Sequence, residues 1–103
     1  MGSMVIAAMF AVALAGSETQ AAIEASMATL QGEPISTLVG SIGQPNAERI
    51  IDGRRAYDWV GGGCQLRVAV DTRDRIEAWE VHGGRRCRGL GVSLRLLVEG
   101  RKA

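Results

Sequence analysis

Hydrophobic side chains recur along this chain with three different spacings, and each spacing predicts a different element. From Met4 to Ala15 every residue is apolar, twelve in succession, so the stretch has no polar face to turn towards water. Ser17 to Gln31 is Ala-rich, and Ile23, Met27 and Leu30 fall at i, i+4 and i+7, which predicts an amphipathic helix broken by Gly32. A second short helix is predicted from about Pro34 to Ile42. Proline suits its first turn, Gly43 followed by Pro45 stops it, and Ile35, Leu38, Val39 and Ile42 line one face that must be buried.

From Ala47 onward the period moves towards two, which predicts antiparallel strands. "AERIID" and "RRAYDWV" flank Asp52-Gly53, a strong hairpin dipeptide. "GGG" at 61–63 separates the second strand from "CQLRVAVD", and "TRD" at 72–74 leads into "RIEAWEVHG", with Asp74 where a left-handed residue is needed. Alternation places Cys64, Leu66, Val68 and Val70 on one face with Ile76, Ala78, Ala56 and Val60, under the two helices. Tyr57, Trp59, Trp79 and Val81 then share the other face. They form either an exposed aromatic partner site or a surface covered by "GVSLRLLVEG", a C-terminal segment whose pattern fits strand or helix. The predicted fold class is α+β: two short N-terminal helices packed on a three- to four-stranded antiparallel β-meander. Residues 1–16 are assigned to a leader and residues 17–103 to a single small domain.

The apolar run has the length of a signal-peptide core and is too short for a stable membrane span. Ala13-Leu14-Ala15 satisfies the small-x-small rule for a conventional signal peptidase. Met1-Gly2-Ser3-Met4 carries no Lys or Arg, so its start reads as a replacement of the charged n-region. Leu14, Ala15 and Gly16 occupy the first three positions of a bacterial lipobox, but Ser17 stands where lipidation requires a cysteine thiol. A hydroxyl is a far weaker nucleophile than a thiolate near neutral pH. Membrane attachment through a lipid is therefore expected only if position 17 is naturally Cys. The competing reading is a buried N-terminal helix in a cytosolic protein.

Composition adds two constraints. The 103 residues carry 12 basic and 11 acidic side chains, a net charge of +1, which gives no global field for nucleic acid. Removing a leader leaves roughly 85 residues, near the size at which one core is only marginally sufficient. Cys64 and Cys87 are too far apart for a redox C-x-x-C pair, and with His82 alone as a third ligand they make a poor zinc site, so no metal or cofactor is expected. If the chain is exported they should form a disulfide. A rival role for Cys87 is a thiolate activated by Arg85, Arg86 and Arg88. Those arginines, with Arg67, Tyr57, Trp59 and Trp79, are the candidate binding residues.

Gly32 to Val60, "GEPISTLVGSIGQPNAERIIDGRRAYDWV", resembles the small outer-membrane lipoprotein domains of the BamE (SmpA/OmlA) type, the match being carried by Gly43, Pro45, Tyr57 and Trp59. "CQLRVAVDTRDRIEAWEVHGGRRC" is similar to an ending that recurs in small proteobacterial lipoproteins. The resemblance implies a helical pair on an antiparallel sheet, held by lipid at the periplasmic face of the outer membrane and binding other envelope proteins, with no catalytic residues. The missing acceptor cysteine and the Cys64/Cys87 pair depart from that pattern.

No catalytic residue is assigned. "VHGG" around His82 has no G-x-S-x-G nucleophile to serve, and "GGG" lacks the Lys-Ser/Thr of a phosphate loop. Asp58 is expected inward near Leu66, where it either has a raised pKa, the core of an enzyme reading together with His82, or simply satisfies a backbone donor. The expectation carried forward is a non-catalytic periplasmic envelope protein acting as a protein-binding or scaffold module. A secreted inhibitor or immunity-type binder is the alternative.

Overall fold

The computed structural model describes residues 18–102; Ser17 and the stretch 1–16 that the sequence reading assigns to a leader lie outside them. Helix α1 covers 18–30 and α2 covers Ile35–Ile42. Strands β1 (Ala47–Ile51), β2 (Arg54–Gly61), β3 (Cys64–Val70) and β4 (Ile76–His82) follow, then a 3-10 turn (Gly84–Cys87) and helix α3 (Arg88–Lys102). The strands form one antiparallel sheet in sequence order, so the α+β class and the meander are as the pattern predicts. The C-terminal helix is the addition. Period-two reading of Val92, Leu94, Leu96 and Val98 conceals a helical stripe, Leu90, Leu94, Leu97 and Val98, and the helix buries Leu94 and Val98 against the sheet.

Both tight hairpins turn on left-handed pairs. Asp52 and Gly53 have φ of 53° and 78°, and Gly62 and Gly63 have 58° and 83°, the geometry of a two-residue turn whose twist matches the flanking strands. Since only Gly62 and Gly63 make the second turn, Gly61 pairs with Cys64 and Trp59 with Leu66. The third turn is built by Asp71, whose Oδ1 accepts from the backbone N–H of Arg73 at 2.8 Å and Arg75 at 3.0 Å, with Asp74 left-handed at φ 59°.

This register overturns the predicted faces. Val70 pairs with Ile76 as expected, but a β-bulge at Ala69/Val70 inserts one residue, so Val68 faces Trp79 rather than Ala78. A three-residue count across the glycine run makes the same one-residue error on the other side. Tyr57, Trp59, Trp79 and Val81 therefore lie with Leu66 and Val68 on the helix-covered face, and Ala56, Val60 and Ala78 lie on the open one.

The core sits between the sheet and the helices: Ile23, Met27 and Leu30 of α1, Leu38 of α2 and Leu94 of α3 close over Trp59, Leu66, Val68, Ile76 and Val81. The loop from α1 to α2 also pairs with the start of β4, through Gly32 N–H to Ile76 O and Ile76 N–H to Glu33 O, both 2.8 Å. Gln31 Nε2 donates to the Glu77 carbonyl at 3.1 Å. These contacts cover the start of the β4 edge, at Ile76 and Glu77. The β1 edge has no strand beside it among the described residues, and its Ile50 is 69% exposed.

Candidate functional site

The open face of the sheet carries a connected cluster of charged side chains. Asp58 of β2 is paired across the ladder with Arg67 of β3, and Arg49 of β1 reaches it from the diagonal position. Arg67 Nε donates to Asp58 Oδ1 at 2.7 Å and Arg67 Nη2 to Oδ2 at 3.2 Å, a bidentate pair, while Arg49 Nε donates to Oδ2 at 2.8 Å. Asp58 is 2% exposed, so this carboxylate is buried beneath two guanidinium groups. The hydrogen bond from Arg67 holds its pKa below the ordinary carboxylate range despite the opposing cost of burial, and Arg49 adds to the effect. The same ion pair raises the pKa of Arg67. The expected raised pKa and backbone partner are both corrected by this geometry. The carboxylate stays charged and is consumed by structure.

Beside this cluster Ala56, Ala69 and Ala78 stand in register across β2, β3 and β4. Their small side chains leave a groove of about 520 Å³ walled by Ile51, Arg54, Arg67 and Glu80. Arg54, on its wall, meets Glu77 at 2.6 Å. His82 lies on the same face but its carboxylate neighbour is Glu80, at 3.6 Å, and both oxygens of Asp58 are already engaged by arginine. The two residues of the enzyme reading are not brought together.

The aromatic candidates serve the core instead of a partner. Trp59, 8% exposed, donates through Nε1 to the Gly43 carbonyl at 2.8 Å, tying β2 to the end of α2. Trp79 donates to Glu24 of α1 at 2.6 Å, and Tyr57 packs with its ring centroid 6.4 Å from that of Trp59. Cys64 and Cys87 form a disulfide joining the start of β3 to the turn before α3, which removes the activated-thiolate role. Arg85, Arg86 and Arg88 are exposed in that turn and the first residue of α3. The part played by Arg49, Glu24 and the Gly43 carbonyl was not anticipated. Taking Gly62-Gly63 as the turn would have placed Asp58 opposite Arg67, but no local pattern points to the diagonal Arg49.

No protein-family model, no curated protein and no solved structure matches this chain.

Proposed function

We propose that the chain is a non-catalytic module of the bacterial periplasm, anchored by lipid to the outer membrane in its natural form, where it binds or scaffolds other envelope proteins. The observation that carries this reading is the Cys64–Cys87 disulfide, which closes a 23-residue separation in a domain with a small core. Such a bond persists in oxidising compartments and is rare in the cytosol. The apolar run from Met4 to Ala15 and the Leu14-Ala15-Gly16 step supply the matching address. The BamE-type resemblance supports the same reading, and two of the residues that carry it, Gly43 and Trp59, are joined by a hydrogen bond.

A second reading, a secreted inhibitor or immunity-type binder, is favoured by the sheet face that no helix covers among the described residues and by its alanine-floored groove. The test for both is the intact mass of the protein isolated from its own cells, alkylated without reductant after membranes and soluble fractions are separated. Cleavage near residue 16 and unalkylated Cys64 and Cys87 are expected, with an acyl mass in the membrane fraction where position 17 is Cys in the natural protein. A cleaved, oxidised, unacylated and freely soluble species would favour the second reading, and a full-length protein with two alkylated thiols would refute both.

A further inference from the structure

The basic side chains are distributed unevenly, and the unevenness coincides with the place where the chain enters the domain. Arg49, Arg54, Arg55, Arg67 and Arg101 each meet a carboxylate. Arg73 and Arg75, in the turn before β4, have no carboxylate within ion-pair distance among the described residues. The same holds of Arg85, Arg86, Arg88 and Arg95, and these four are all exposed. They gather at one end of the molecule, on the turn before α3 and the first two turns of that helix. A shallow hollow there is lined by Arg88, Val92 and Arg95 of α3 and by Glu18, Thr19 and Ala22 of α1. Glu18 is the carboxylate among the residues that line this hollow, opposite Arg88 and Arg95.

The exposed stripe of α3 is not simply cationic. Arg88, Val92, Arg95 and Leu96 follow at i, i+4, i+7 and i+8, one helical face. Val92 is 44% and Leu96 63% exposed, on a helix whose opposite face packs on the core through buried Leu94 and Val98 and partly buried Leu90 and Leu97. Apolar side chains set between arginines on a surface helix have the composition of an element that lies in a lipid interface, the stems and apolar groups entering it and the charges meeting phosphate. Position is the independent argument. Covalent geometry keeps the Cα of residue 17 within about 4 Å of that of Glu18, and Ala15 within about 11 Å. Glu18, to which position 17 is bonded, lines the border of this patch.

We infer that the arginine-bearing face of α3 and its preceding turn is a membrane-docking surface for an anionic lipid bilayer, holding the domain in one orientation beside its attachment point. This deepens the envelope reading and rests on it, but its test is made on purified protein and fails separately from the mass measurement above.

The test is the partition of the full chain onto vesicles of equimolar phosphatidylcholine and phosphatidylserine against vesicles of phosphatidylcholine alone, which isolates the charge-dependent part from any contribution of the apolar run. At about fivefold per arginine near a charged surface, Arg88→Gln/Arg95→Gln should lower the preference for the anionic vesicles at least tenfold, and added salt should do the same to the unsubstituted chain. Arg54→Gln/Arg73→Gln, with the same change in net charge at other positions, should leave it within about threefold. In a second measurement Leu96→Trp, an exposed site that does not test the core, should show a blue shift in emission on anionic vesicles. Equal losses in the two double variants, no preference for anionic vesicles, or an unshifted Leu96→Trp spectrum would each overturn the proposal. Retention on an acidic polypeptide without vesicle preference would overturn it in favour of a protein partner.

Discussion

Asp58 shows how much a single position can be asked to do when it is buried among charges. Its carboxylate is stabilised in the charged form by Arg67 first and Arg49 second, so its folded pKa lies below the value of an unfolded aspartate. The sign of the linkage follows: the stabilisation is present above the unfolded value, near 3.9, and is lost as pH falls through the lower folded value. Asp58→Asn removes the charge and leaves two guanidinium groups facing a neutral amide. A loss of about 2 kcal/mol is expected at neutral pH, with the difference from the unsubstituted protein closing below about pH 4, measured by urea unfolding across that range. A pH-independent difference would show that packing, not charge, is what Asp58 supplies. Trp59 makes a simpler case. Trp59→Phe keeps most of the buried ring and removes the donor to the Gly43 carbonyl, which should cost about 1 kcal/mol in the same assay.

Among the elements, the two N-terminal helices and the four strands were legible because each carries its own signal: an i, i+4, i+7 stripe around Ile23, a Pro-to-Gly frame around Leu38, and Asp52-Gly53 at the first hairpin. What could not be read was register. Three consecutive glycines do not say which two make the turn, and nothing at Ala69 or Glu77 announces a bulge, yet each choice moves every side chain of a strand to the other face. The aromatic candidates were misplaced for that reason alone. Helix α3 was ambiguous because Leu94 and Val98 satisfy both periods, being two alternations apart in a strand and one turn apart in a helix. The helix separates Leu94 from Leu96, whereas a strand would set them on one face. Leu94→Ala should therefore cost about 3 kcal/mol and Leu96→Ala no more than about 0.5 kcal/mol. Similar losses for the two in thermal unfolding would contradict the helical assignment.

At the scale of the whole molecule, the sheet and α3 are held together in two ways that differ in kind. Leu94 and Val98 pack into the shared core, while Cys64–Cys87 ties the first residue of β3 to the turn from which α3 starts. The rest of the sheet does not need the bond, because β1 to β4 are joined by short connections and hydrogen-bonded ladders, and α1 is secured to β4 by the loop that follows it. Removing it should destabilise the whole by about 3 kcal/mol in the chain-entropy account, but the loss should not be spread evenly. Cys64→Ser/Cys87→Ser is expected to fold at low temperature and to lose amide-exchange protection first along α3, with β2 and β3 protected to near the global limit. If the face of α3 is what meets the bilayer, the same variant should also lose preference for anionic vesicles, because Arg85 and Arg86 on the turn would no longer be fixed relative to Arg88 and Arg95 on the helix. Uniform loss of protection across sheet and helix would instead show that the domain opens as one unit, and that the disulfide guards the core rather than the orientation of its charged end.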